Sequence, residues 1–128
     1  MNVLLDTHVF LWAVMQPDQL SSKVRRLLEN SKTDVTVSAA SAWEIGTKFR
    51  LGKLPGAKLV VGEFEDAVRR LHARSLPIIN AHAMLAGSYP QDHRDPFDRI
   101  LAAQAEIEGL VLVSKDRALR QFGVKLLW

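Results

Sequence analysis

Five short apolar runs, NVLL (2–5), VTV (35–37), LPII (76–79), LVLVS (110–114) and VKLLW (124–128), alternate with segments whose apolar residues recur at helical spacing. Strands separated by helix-length segments pair in parallel, and a parallel sheet has both faces covered by the crossover helices. The pattern therefore predicts an α/β fold of three layers, α/β/α, around a central parallel sheet of about five short strands. In such sheets chemistry gathers beyond the carboxyl ends of the strands, so the residues that follow each run carry the most information.

The intervening segments set the helices. HVFLWAVM (8–15) is apolar on all sides and predicts a helix covered by other protein. Leu20, Val24, Leu27 and Leu28 mark a second helix, with Ser21 or Ser22 as its N-cap. SAASAWEIGTKFRLGKL (38–54) reads as a helix running out near Leu51 and Gly52, with a loop at Pro55 and Gly56. Phe64, Ala67, Val68, Leu71 and His72 mark another, AHAMLAGSYP (81–90) a short one closed by Pro90, and 96–108 a long one stopped by Gly109. KDRALRQF (115–122) is the last.

With 48% hydrophobic residues in 128, the chain supports a core of its own, and it is expected to form one domain over 1–128. The absence of cysteine excludes disulfides and thiolate metal sites. A net charge of +3 permits a polyanionic partner without demanding one. Asp6 and His8 interrupt the apolar start and no basic segment precedes it, so neither a signal peptide nor a membrane span is expected. The expected location is the cytoplasm.

Four acids fall where strand ends are predicted. Asp6 follows the first run, Glu44 lies early in the helix after the second, Asp98 in the first turn of the long helix, and Asp116 two residues beyond LVLVS. Each of the last three has a structural alternative. In HRDPFDRILAAQAE (93–106), Asp95, Pro96 and Asp98 make a good helix start; Ser41 and Glu44 fit a capping box, unless the helix is capped at Ser38; Asp116 suits the cap of the short helix. Asp6 has no such role on offer, and an unpaired buried charge is costly. Carboxylates gathered at one edge repel one another unless a cation neutralises them. Oxygen ligands without cysteine or clustered histidine point to Mg²⁺ or Mn²⁺.

Taken together, LLDTHVFLW, SAASAWEIGTKFRLGKL, HRDPFDRILAAQA and LVLVSKD resemble, in order along nearly the whole chain, the PIN-domain proteins, nearest in pattern the VapC-type toxins of bacterial toxin–antitoxin pairs. The resemblance implies a PIN-like fold that cleaves RNA, transfer RNA among the candidates, with Mg²⁺ or Mn²⁺ held by acids. It places the four acids of the family on Asp6, Glu44, Asp98 and Asp116, with Ser114 as a supporting hydroxyl and Asp95 and His93 inside the motif. It further implies a cognate antitoxin protein, which an Arg reaching the carboxylates would suit, and a homodimer, for which the apolar 8–15 helix offers a face. Phosphodiester hydrolysis needs an activated water and a compensated leaving oxygen, and divalent ions supply both.

Lys48, Arg50, Lys53 and Lys58 follow Glu44 and are candidates for steering RNA phosphates, or a solvated helix face. Arg94 and Arg99 are set to touch RNA or to pair with Asp95 or Asp98. Among the histidines only His8, close to Asp6, bears on the site, and Trp12, Trp43 and Trp128 read as core or interface. Three rivals share parts of this pattern. A phospho-accepting receiver module needs an acidic pair after the first strand and an Asp after the third, but Asp6 has no acidic neighbour and LPIINAH offers no Asp at its end. A catalytically inactive scaffold of the same fold is opposed by the presence of all four acids. A DNA nuclease would use the same metal chemistry.

Overall fold

Val3, Leu4 and Leu5 are wholly buried, and the strand they form, β1 (Asn2–Leu5), lies in the middle of the sheet. In the computed structural model, which describes residues 1–128, β1 is flanked by β2 (Asp34–Ser38) and β4 (Val111–Val113), with β3 (Arg74–Leu76) and β5 (Leu126–Leu127) at the edges. The order is β3-β2-β1-β4-β5 and every pairing is parallel. The helices are α1 (Thr7–Met15), α2 (Ser22–Glu29), α3 (Ala39–Arg50), α4 (Lys58–Gly62), α5 (Phe64–Arg70), α6 (Asn80–Ser88) and α7 (Pro96–Glu108).

Side chains alternate across a strand, so β1 serves two cores. Val3 and Leu5 join Val9, Phe10 and Leu11 of α1, Val24 of α2, Ile45 of α3 and Ala67 and Val68 of α5. Leu4 faces the other way, into Leu101, Ala102 and Ala105 of α7 with Leu112, Leu119 and Phe122. The expected α/β/α layering around five parallel strands is what the chain adopts.

Several local expectations change. The third strand is Arg74–Leu76 rather than 76–79. Pro77 has no N–H to give the ladder, so pairing stops before it. The fifth strand shrinks to two residues, and the segment before it is a 3-10 helix, Arg117–Phe122, closed by Gly123 at φ +76°. The expected loop at Pro55 and Gly56 forms a 3-10 turn, Pro55–Ala57, and a short helix, α4, follows it where no element was expected. The long helix matches its expected span and is terminated by Gly109, whose φ of +67° suits a residue without a Cβ. Most of the apolar surface of α1 is covered from within the chain: Val9, Phe10 and Leu11 are buried, and Trp12 packs against Trp128 at 5.7 Å. That helix thus needs no second copy to shield it. No helix is long and apolar enough to cross a membrane.

Because Leu4 is the only β1 side chain in the α7-side core, truncating it opens a cavity between sheet and helix. Leu4→Ala is expected to lower the unfolding free energy by about 2–5 kcal/mol, read as an earlier urea midpoint at unchanged slope.

Candidate active site

After β1 the chain places β2 and β3 on one side and returns to place β4 and β5 on the other. The carboxyl ends of β1 and β4 therefore flank the point where the strand order reverses, the crevice where parallel sheets bind ligands. Asp6 and Ser114 stand there. The Asp6 N–H extends the ladder to the Val113 carbonyl at 3.0 Å. One oxygen of its carboxylate, Oδ1, accepts the Thr7 N–H at 2.7 Å, and the other, Oδ2, accepts the Ser114 hydroxyl at 2.6 Å. Ser114 Oγ in turn accepts the Asp116 N–H at 3.0 Å. Asp6 is therefore the N-cap of α1 as well, a structural role not anticipated from the sequence. Burial raises its carboxyl above the ordinary range; the Ser114 bond opposes this, the Glu44 charge adds to it, and His8 and the Thr7 N–H oppose it.

Glu44 comes from α3, which Ser38 caps through the Ala40 N–H at 2.9 Å. Ser41 is thus inside the helix and not its cap; its hydroxyl pairs instead with that of Thr7 at 3.0 Å. Glu44 is only 3% exposed. Its Oε2 accepts from the Lys48 ammonium one turn on, while Oε1 is buried without a partner. Lys48, read as steering RNA phosphates or as part of a solvated helix face, is drawn among the acids: its burial disfavours the charge, but Glu44, then Asp95 and Asp98, outweigh that and favour the charged form. Arg50 and Lys53 remain exposed and unpaired, as an RNA-facing role requires.

In α7 the two aspartates divide. Asp95 is the cap, accepting from the Phe97 N–H at 2.9 Å and the Asp98 N–H at 3.4 Å. Asp98 is half-buried, and its Oδ2 lies 2.9 Å from His93 Nε2. Burial pushes its carboxyl up to about 6; the His93 bond opposes this, and the charges of Asp95 and Asp6 add to it. His93 Nδ1 sits 3.0 Å from the Gln121 amide nitrogen, which leaves Nε2–H to donate to Asp98. Asp116 is exposed and caps the 3-10 helix through the Ala118 N–H at 2.9 Å. It lines an open cleft of about 230 Å³ with Asp6, His8, Val9, Trp12 and Lys115.

Arg99 departs from the ion pair that its position in the sequence suggested. It pairs with neither Asp95 nor Asp98; its guanidinium donates to the carbonyls of Ala86, Tyr89, Gln91 and His93 at 2.6–3.1 Å. This clamp holds the segment that presents His93 to Asp98. An arginine beside acids signals an ion pair in sequence, and only the path of the 89–95 segment turns it toward carbonyls. Trp43, next to Glu44, is 55% exposed and meets Phe97, next to Asp98, edge-on at 4.6 Å.

Asp6 thus feels both Glu44 and Asp98, and the cleft adds Asp116. No three carboxylates or imidazoles converge on one point as the side chains stand. The donor set still suits a hard divalent cation: oxygens only, a buried Glu44 Oε1 with no partner, and an ammonium already in place against Oε2.

Residues 3–125 match the PIN domain family. The chain is 31% identical over 120 residues to Ribonuclease VapC22 of Mycobacterium tuberculosis (strain ATCC 25618 / H37Rv), covering 93% of this chain and 90% of that protein. Ribonuclease VapC16 of the same organism is 34% identical over 61 residues, 48% of this chain and 43% of its own length. In fold, the chain is similar to one in the crystal structure of VapBC2 from Rickettsia felis bound to a DNA fragment from their promoter. That match has a TM-score of 0.71 at 15% identity and covers 99% and 98% of the two chains.

Two outcomes follow from this geometry. Asp98 is held up to about 6 from an ordinary 3.8, so the folded state binds its proton more tightly than the unfolded one. That contribution is complete below about pH 4 and is lost as pH rises through 6. Asp98→Asn removes the loss: without metal at pH 7 the variant should be the more stable by on the order of 1 kcal/mol, a value discounted for solvent contact. Urea titrations at pH 4 and pH 7 read this directly, and a variant no more stable than wild type at pH 7 refutes it. Arg99→Met should cost about 2–4 kcal/mol by freeing four carbonyls from a charged donor, and proteolysis should then cut first between Tyr89 and Asp95.

Proposed function

The chain belongs to the PIN-domain family, and on that premise we propose that it is a metal-dependent endoribonuclease of the VapC type, the toxin of a toxin–antitoxin pair, with 1–128 as one nuclease domain. The observation that carries the reading is Asp6: a buried carboxylate at the end of the central strand, at the strand-order reversal, sharing its electrostatic surroundings with Glu44 and Asp98.

In this reading Asp6 and Asp98 hold the metal, with Glu44 and Asp116 completing the site directly or through water. Bound Mg²⁺ or Mn²⁺ supplies an activated water and compensates the charge on the leaving oxygen. The chain's own residues do the rest. Thr7 and Ser114 fix the Asp6 carboxylate from two sides, and His93, itself held by Arg99 and Gln121, orients Asp98. One of the carboxylates takes the proton of the attacking water. Arg50 and Lys53 attract the phosphate backbone, and the exposed face of Trp43 offers a surface on which a base can stack. The names of the two ribonuclease relatives support RNA over DNA as substrate. The family match leaves no support for the receiver reading, and the four acids in place oppose an inactive scaffold.

The partner is a cognate antitoxin, whose basic side chain would neutralise the acids much as Lys48 does Glu44. The structural neighbour's description as a VapBC2 complex supports that expectation. A homodimer is proposed as well; exposed Met84 and Ile107, on the packed pair α6 and α7, give it apolar surface. The cytoplasm is the proposed location.

Wild type, Asp6→Asn and Asp98→Asn should be compared on a panel of single-stranded and transfer RNAs, with Mn²⁺ or Mg²⁺ and with chelator. Cleavage should require metal and fall on the order of 10²-fold or more in either variant. Cleavage that survives chelator or both substitutions refutes the proposal.

A further inference from the structure

Glu44 and Lys48 sit one turn apart on α3, and their side chains are 4% and 28% exposed. A carboxylate so deeply placed needs a counter-charge, because a buried charge without a partner is strongly destabilising. Lys48 is a poor match for that need. Its ammonium can donate three hydrogen bonds but bonds only Oε2 of Glu44, leaving Oε1 without a partner. It brings one positive charge to a place where Asp95 and Asp98 also act on it. Unlike the Arg99 guanidinium, which is tied to four carbonyls, the Lys48 ammonium has no hydrogen bond to anything except Glu44. Its flexible stem and partly exposed head allow it to leave by side-chain rotation alone, with α3 undisturbed.

Resting on the nuclease reading above, we propose that Lys48 is the resident counter-cation of the metal-free site, and that the divalent ion must displace it to reach Glu44. The two cations compete for the same carboxylate. A divalent ion brings twice the charge and can engage both Oε1 and Oε2. The displaced ammonium then stands free at the mouth of the site, where a phosphate of the RNA is its natural next partner. Metal loading and RNA binding are thereby linked, each favouring the state with Lys48 turned out. The alternative is that Lys48 stays on Glu44 and holds it in place for the metal. The two accounts predict opposite signs when the lysine is removed.

The experiment is calorimetric titration of Mn²⁺ into the RNA-free protein, comparing wild type with Lys48→Met and Lys48→Gln. Lys32→Met, an exposed lysine just before β2, at the amino end of the strands and away from the site, serves as the control for net charge. Lys48→Gln guards against misfolding, because its amide can still donate to Glu44 without carrying charge. Both Lys48 variants should bind Mn²⁺ about three- to tenfold more tightly while Lys32→Met matches wild type. The Mn²⁺-induced rise in Tm should likewise be larger in the Lys48 variants. Unchanged or weaker binding by folded Lys48 variants overturns the displacement account, as does equal tightening by Lys32→Met. If neither wild type nor any variant binds Mn²⁺, the metal-dependent reading of the site fails first and this inference falls with it.

Discussion

The arrangement depends on keeping the Asp6 carboxylate charged and oriented at the end of a buried strand. Two donors make that possible, the Thr7 N–H from the first turn of α1 and the Ser114 hydroxyl from the end of β4. The first is local to the start of α1, whereas the second exists only because β1 and β4 pair in parallel and in register, Leu5 against Val113, so that the next residues of each strand emerge together. Ser114 also accepts the Asp116 N–H, which commits its own proton to Asp6 and ties the strand end to the 3-10 helix. The two-sided packing of β1, with Val3 and Leu5 in one core and Leu4 in the other, is what holds that strand in place.

The site is maintained against its own electrostatics. Asp6 and Asp98 are raised by burial and by neighbouring acids, and Glu44 carries a buried oxygen that nothing satisfies. A fold selected for stability alone would not assemble these groups. It tolerates them because the surrounding network is over-determined: Arg99 gathers four carbonyls, Asp95 closes the amino end of α7, and His93 braces Asp98 from the segment Arg99 holds. Lys48 relieves part of the excess charge at Glu44. The same excess of acid is why the donor set suits a hard divalent cation.

Much of this was legible in the sequence. The alternation of apolar runs with helical spacing led to a five-stranded parallel sheet between helices, and Gly109 ended its helix as its position suggested. Asp95 is the cap of α7, as the sequence suggested, and Asp98 is left to bond His93. The errors have local causes. LPII looked like a strand by composition, but Pro77 cannot pair, and the ladder stops at Leu76. Asp6 was read as having no structural task, and it caps α1. Lys48 was assigned outward and turns inward, because the depth of Glu44 is a property of packing and not of the i, i+4 spacing.

The sequence by itself determined the layers, the order of strands and helices along the chain, and which acids follow strand ends. These depend on periodicity and on neighbours a few residues away, and short-range sterics and hydrophobic burial enforce them. Tertiary structure alone decided which acids share a field, that Ser114 faces Asp6 across 108 positions of chain, and that Arg99 binds carbonyls rather than carboxylates. Those outcomes depend on distance and desolvation. Both are set only when β4 closes beside β1 and α7 packs over the sheet, so no stretch of residues read alone contains them.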